Sequence, residues 1–405
     1  MLETRIAKEL AYISQAGLAR RITELYFVNP AQAQDRTGKT YLVLASNNYL
    51  GFTHAPEVIE AASRAALKFG TGSSGSRLTT GGTFIASELE KRLADFKHSE
   101  SALVFNTGYM TNLGVLYGLM QTGDVVFSDE LNHASIIDGC RISRCKVVVY
   151  KHNDMADLQR LLETEIVTGQ RFIVTDGVFS MDGDIADLPS LAVLKKQFNA
   201  CLIVDDAHGV GVIGNDGSGT ASHYGLTDVI DLQVGTLSKA LAAEGGYVAG
   251  KKILIDYLIN RSRPFIFSTA LAPATLAAAN AALLLLQTQA SKYLDSLRAN
   301  SRLMRRLLLE GGLNVVEGIT PIIPVVIGEA GLTMQFADRL KSKGILVSGI
   351  RPPTVPRGES RLRITVTAAH CEEQLRQAAQ IITALWQELK HGEKKADSQS
   401  KYNRN

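Results

Sequence analysis

The segment CLIVDDAHGVGVIG, residues 201–214, decides how this chain is to be read. Its first half is a β-branched apolar run of the kind buried on both faces of a sheet. Its second half contains Gly209-x-Gly211-x-x-Gly214, which matches the glycine pattern of dinucleotide-binding proteins. Such a site needs the glycines to open a helix whose amides hold the pyrophosphate, with an acidic residue about 20 positions later on the ribose. Here the turn formers Asn215-Asp216-Gly217-Ser218-Gly219 stand where the helix should begin, and Asp228 and Asp231 are too ordinary to decide the matter. The more unusual content is Asp205-Asp206-Ala207-His208. It leaves carboxylates and an imidazole at the carboxyl end of a buried strand, where open α/β sheets bind ligands.

On either side of this segment, from about Ser46 to Gly250, short apolar strands alternate with helical stretches. SALVFNTG leads into YMTNLGVLYGLM, DVVFSD into HASIIDGCRIS, and KVVVYKH into MADLQRLLETEI; RFIVTDGVFSM, LQVGTLSK and GYVAG extend the series. Near-continuous runs of Val, Ile and Phe predict an α/β fold with a mainly parallel sheet flanked by helices, leaving room for an antiparallel return near GYVAG. Beyond the alanine-rich stretch at Ala270 the units shorten to an α+β pattern. The expected organisation is an N-terminal helical arm over 1–45, a large domain over 46–285, a small C-terminal α+β domain over 286–391, and a polar, disordered tail over 392–405.

Composition narrows the function classes. Lys and Arg total 43 against 40 acidic residues, a net charge of +3 spread evenly, which argues against a nucleic-acid partner. The run ALAPATLAAANAALLLL contains Pro273, Thr275 and Asn280 and reads as a buried helix, not a membrane span. Cys140, Cys145, Cys201 and Cys371 show no metal-ligand spacing, so no metal site is expected and a reducing, cytoplasmic setting fits better than a disulfide framework.

In GTLSKALAAEGGYVAG, Lys239 follows an apolar strand and is surrounded by Ser238, Ala240, Ala242, Gly245 and Gly246. Small neighbours leave space for a bulky group on its nitrogen, and partial burial would favour the nucleophilic amine. The competing reading is a surface lysine at a helix start. Pyridoxal phosphate (PLP) chemistry needs a Schiff-base lysine, a carboxylate for the pyridine nitrogen and a phosphate cradle. Asp205 can supply the carboxylate and His208 a donor for the ring's phenolic oxygen. Thr107-Gly108-Tyr109, at a strand-to-helix turn, can supply the cradle, and His133 an imidazole stacked on the ring. Each residue has a bland reading as a cap or loop residue. Their joint occurrence at successive strand ends is what favours PLP.

The segments NHASIIDG, TDGVFSMDGD, VDDAHGVGVIG and GTLSKALAAEGGYVAG, in that order, resemble the α-oxoamine synthases, PLP-dependent enzymes of fold type I. The resemblance extends to about residue 390. Members condense an amino acid with an acyl thioester and release carbon dioxide. The C-terminal run GIRPPTVPRGESRLRITVTAAH, residues 349–370, resembles the branch that joins L-alanine to a pimeloyl thioester more closely than those using glycine or serine.

By this resemblance Lys239 is the Schiff-base lysine and Asp205 the partner of the pyridinium nitrogen. Ser180 and His208 serve the ring oxygen, and Thr236 with the amides of Gly108 and Tyr109 the phosphate. His133 stacks on the ring. Arg351 holds the amino-acid carboxylate near Asn47, and Thr354 and Arg20 (or Arg21) line the thioester side. Ser268 and Thr269 reach the cofactor phosphate of a second subunit, which implies a homodimer with shared active sites. The carrier is left open between coenzyme A and an acyl carrier protein. One departure is Ala242, where the family commonly has glycine, which suggests a slightly more crowded loop. The alternatives are a sister synthase with another amino acid and acyl chain, a nicotinamide-dependent dehydrogenase, and a partner-binding pseudoenzyme.

Overall fold

The structure, a computed structural model, describes residues 1–16, 18–20 and 22–402, with side chains described through residue 390. Seven apolar segments form one sheet: β1 (Ser101–Phe105), β2 (Val125–Asp129), β3 (Lys146–Tyr150), β4 (Arg171–Asp176), β5 (Ala200–Asp205), β6 (Leu232–Thr236) and β7 (Gly246–Gly250). Their spatial order is β1-β7-β6-β5-β4-β2-β3. Strands β3, β2, β4, β5 and β6 run parallel, while β7 is antiparallel to both of its neighbours. The reversal follows from chain length: residues 237–245, between β6 and β7, are fewer than the dozen or so that a parallel crossover requires. The folded-back connection carries Lys239.

Burial on both faces matches the apolar runs, since every residue of β2, β6 and β7 is buried. The alanine-rich stretch opens a long helix, Pro273–Glu310, which packs through Leu276, Ala279, Ala282, Leu283 and Leu286 into the core beneath the sheet. Its backbone leaves helical geometry at Gln289, and beyond that break Met304 and Leu308 belong to a second core.

The second core backs a small antiparallel sheet of β8 (Ile322–Gly328), β9 (Ser348–Ile350) and β10 (Ser360–Thr365), ordered β8-β10-β9. Helices Ala330–Ser342 and Glu372–Tyr402 cover it, with Phe336 stacked on Trp386 at 5.6 Å between ring centres. The final helix continues through most of the polar tail that composition reads as disordered, and residues 403–405 lie outside the described residues.

Among the described residues of 1–45 only Leu2–Gln15 is helical; Tyr26–Asn29, Gln32–Gln34 and Thr40–Val43 are strands joined to Ile345–Leu346. Turn chemistry accounts for the difference from a helical arm. The Asn29 side chain accepts the amide of Ala31, and Asp35 accepts those of Thr37 and Lys39 around Gly38 at φ +82°. Among the described residues no helix is long and apolar enough to cross a membrane.

Candidate active site

Parallel strands that end at one sheet edge bring polar residues from distant parts of the chain together. Past β1 come Thr107 and Gly108, past β2 His133, and past β4 Ser180. Asp176 and Asp205 close β4 and β5 as register partners. Thr236 closes β6, followed by Ser238 and Lys239. With Tyr109, Asn112, Ser135, Ala207 and His208, these residues line a single cavity of about 220 Å³.

Lys239 is partly buried. Desolvation pushes its ammonium down to about 8, against the opposing pull of Asp205 and Asp176. The amine is therefore far more available near neutral pH than that of an ordinary lysine. The Asp205 carboxylate accepts from Asn112 Nδ2 at 2.6 Å and from the amide of Ala207 at 3.0 Å. Its neighbour across the register, Asp176, behaves differently: burial first, and then the charge of Asp205, push its carboxyl well above the usual range.

His208 is buried, with Nδ1 2.6 Å from the Tyr49 hydroxyl. Burial, then the cations Lys239 and Arg363 and neighbouring His133, hold it well below its ordinary value, so it is neutral. His133 remains accessible, yet desolvation and Lys239 outweigh Asp205 and lower its pKa as well. Its ring meets that of Tyr109 edge-on at 6.4 Å.

The helix Gly108–Leu119 begins at the cavity. Thr107 caps it by accepting the amide of Met110 at 3.0 Å, and its carbonyl accepts that of Thr111. The amides of Gly108 and Tyr109 are left without an acceptor among the described residues. Gly246 of β7 lets this turn sit close to the sheet, because a Cβ there would lie 2.6 Å from the Gly108 nitrogen. Thr236 and Ser238 hydroxyls, 2.7 Å apart, flank the same corner. An amine, a carboxylate served by two donors, a neutral imidazole and a helix N-terminus edged by hydroxyls suit the aldehyde, ring nitrogen, ring oxygen and phosphate of PLP. The residues present thus fit that group.

Other residues singled out in the sequence lie elsewhere. Arg20, Arg351 and Thr354 line a separate cleft of about 1160 Å³ between the N-terminal segment and the small sheet, where Arg351 Nη2 donates to the Ala19 carbonyl at 3.3 Å. Arg21 lies outside the described residues. Asn47 accepts from Arg363 Nη2 at 3.2 Å and from the Tyr49 hydroxyl at 3.4 Å; Arg363 also donates to the Ser180 carbonyl and Tyr49 pairs with His208, so Asn47 meets the cavity through these two residues. Ser268 and Thr269 sit outside both spaces, although the Thr269 carbonyl accepts from Asn106, next to the phosphate corner, at 2.7 Å.

Asn112, Ser135, Asp176 and Arg363 were not anticipated. A signal for Asn112 was present, since it follows Gly108 by one helical turn and shares its face. Ala242 packs against the main core, and its backbone is left-handed, at φ +53°. As for the glycine series, no helix follows Gly214 directly. The next one, Thr220–His223, gives its first amide to Asp206, not to a ligand.

The aminotransferase class I and II family model matches residues 39–382. The chain is 47% identical over 374 residues to an 8-amino-7-oxononanoate synthase of Lysinibacillus sphaericus, covering 92% of this chain and 96% of that protein. It is 49% identical over 385 residues to the enzyme of the same name from Trichlorobacter lovleyi, covering 95% and 98%. Among solved structures, a serine palmitoyltransferase carrying PLP superposes with a TM-score of 0.90 at 31% identity, over 95% of this chain and 97% of the other.

Proposed function

The chain belongs to the aminotransferase class I and II family and, within it, to the PLP-dependent α-oxoamine synthases of fold type I; from that premise we propose that it is an 8-amino-7-oxononanoate synthase. It condenses L-alanine with a pimeloyl thioester, releasing carbon dioxide and a free thiol, in biotin biosynthesis. The observation that carries this reading is the convergence of Lys239, Asp205, His133 and His208 on one cavity, in a chain that matches an enzyme of that name over 95% of its length.

Lys239 would hold the cofactor covalently and Asp205 its ring nitrogen. Ser180 and His208 would serve the ring oxygen, and Thr236 with the Gly108 and Tyr109 amides the phosphate. When bound, PLP supplies an electron-accepting ring that stabilises negative charge on the substrate's α-carbon. Lys239 Nζ, when not bonded to the cofactor, would be the base that takes the α-proton; its depressed pKa leaves a free amine near neutral pH. His133, accessible and with its pKa lowered, would stack on the ring and could donate to a substrate oxygen.

Arg351, Asn47 and Thr354 are assigned to the substrate side with Arg20. This assignment rests on the motif resemblance and on the shared cleft of Arg20, Arg351 and Thr354. The working unit is a cytoplasmic homodimer in which Ser268 and Thr269 approach the partner's phosphate site. The four unpaired cysteines support the reducing setting, and the shared dimer site rests on the motif resemblance.

The deciding experiment is a substrate matrix. Alanine, glycine and serine are each tested with pimeloyl, acetyl and longer thioesters on both coenzyme A and acyl carrier protein, with thiol release as readout. Turnover confined to alanine and pimeloyl thioester is expected, and preference for serine with a long acyl chain would reassign the enzyme to a sister activity.

A further inference from the structure

One hydrogen-bonded path crosses the wall of the cavity and joins the carboxylate on one side to the imidazole on the other. Asn112 Nδ2 lies 2.6 Å from Asp205 Oδ2 and 2.8 Å from Ser135 Oγ. Ser135 Oγ lies 2.8 Å from His133 Nδ1, and the Ser135 amide donates to the same nitrogen at 3.3 Å. Asn112 and Ser135 are 3% and 1% exposed, so water does not compete for these bonds.

The direction of donation follows from the inventory of each group. An ionised carboxylate only accepts, which turns the amide nitrogen of Asn112 toward Asp205 and uses one of its two N–H groups. The second N–H goes to Ser135 Oγ. Having accepted there, the serine hydroxyl has its own proton to give, and His133 Nδ1 is the acceptor within reach. The backbone amide of Ser135 cannot reverse its role, and it points at that same atom. Two donors aimed at Nδ1 require a lone pair on it.

We propose that Asn112 and Ser135 are positioning residues that lock His133 in its Nε2–H tautomer, so that the nitrogen left for the substrate is a hydrogen-bond donor and not a base. The inference rests on the acyltransferase reading for its functional meaning but not for its chemistry. Asp205, Asp176 and Lys239 are the charged or titratable neighbours of this histidine, together with His208 and the Tyr109 ring. Their balance with desolvation lowers its pKa, which is consistent with a neutral ring. The path also ties the orientation of His133 to the charge of Asp205, so that the two faces of the cavity are set together.

The test uses the full chain with isotope-labelled histidine, with and without PLP. Long-range proton–nitrogen spectra are recorded near neutral pH, and the His133 signals are identified by their loss in His133→Gln. The wild type is expected to show a protonated Nε2 and an unprotonated Nδ1 in both states. In Ser135→Ala the two tautomers should mix and the His133 pKa should rise, and Ser135→Thr should restore the pattern. With PLP and substrates, Ser135→Ala should lower kcat roughly tenfold while changing KM for alanine little, and Ser135→Thr should recover most of it.

A proton on Nδ1 in the wild type overturns the proposal even if no variant folds. So does an unchanged tautomer in both Ser135→Ala and Asn112→Leu. Failure of the chain to bind PLP or to release thiol would instead sink the functional reading and leave the tautomer result standing.

Discussion

Lys97 and Asp206 form an ion pair at 2.9 Å with side chains 0% and 1% exposed, one residue away from the Asp205 that lines the cavity. The paired aspartates at the end of β5 thus divide their work, one facing the cavity and the other anchoring the loop behind it. Asp206 also accepts from the Thr220 hydroxyl at 2.9 Å and amide at 3.0 Å, and Lys97 donates to the Ser218 carbonyl. One glycine of the dinucleotide-like pattern, and Gly219 beyond it, belong to this arrangement: a Cβ at Gly209 would lie 1.9 Å from Asp206 Oδ1, and one at Gly219 1.8 Å from Asp206 Oδ2. Removing one partner leaves the other charge buried, so Lys97→Met or Asp206→Leu is expected to destabilise the fold by about 3–5 kcal/mol in urea unfolding. Gly209→Ala, by overpacking against Asp206, should cost about 1–3 kcal/mol, and a wild-type midpoint in all three variants would refute the role given to the pair.

Attachment of the cofactor requires the neutral amine of Lys239. Its ammonium loses a proton at about 8 instead of 10.5, so the rate at which apoenzyme captures PLP should rise with pH and level off above about 8. Capture that keeps accelerating toward the ordinary lysine range would contradict the buried environment. Lys239→Ala should leave no borohydride-fixable cofactor on the chain; a retained lysine adduct would move the assignment to another residue.

Ala242 holds φ +53° while its amide bonds the Lys239 carbonyl at 3.1 Å, closing the turn that carries the reactive lysine. A left-handed backbone costs a residue with a Cβ roughly 1–2 kcal/mol, part of which glycine would return as unfolded-state freedom. Ala242→Gly is therefore expected to stabilise the protein by about 0.5–1 kcal/mol in thermal or urea unfolding, with PLP affinity nearly unchanged. Destabilisation would show that the methyl group's packing outweighs the backbone term.

His152 spans Asp129 at 3.0 Å and Asp184 at 2.9 Å, linking the end of β2 to the loop after β4. Burial disfavours its imidazolium, but the hydrogen bonds and charges of the two aspartates prevail and hold its pKa up at about 10. Because the folded value lies above the unfolded 6.5, this contribution is complete below 6.5 and is lost as pH rises toward about 10. Wild-type unfolding free energy should fall across that window, and the fall should be much smaller in His152→Gln. Equal slopes would show that other groups carry the dependence.

Much of the candidate site was legible because the chemistry sits beside local signals. Lys239, Asp205, His133 and Gly108 each follow an apolar strand, and a strand that ends in a polar group announces itself by hydrophobic pattern alone. Asn112 and Ser135 were hidden inside helices, where a polar residue normally reads as solvated or capping. Arg363 sits in β10 of the other sheet, and nothing near it in the chain points toward Ser180 and Asn47. The strands of 26–43 were missed because each is too short for a periodic signal.

The sequence by itself determined the alternation of strands and helices, the buried character of the strands and the order in which reactive residues leave them, since these depend on neighbours along the chain. Only the tertiary structure decided which groups meet. Strand order and register set Asp176 opposite Asp205, gave Asn112 to Asp205 and Lys97 to Asp206, and thereby turned two adjacent, chemically identical aspartates into a cavity-lining carboxylate and a buried anchor. The last two pairings join residues 93 and 109 positions apart, and the energy of all three depends on burial and distance, quantities that exist only once the sheet has closed around them.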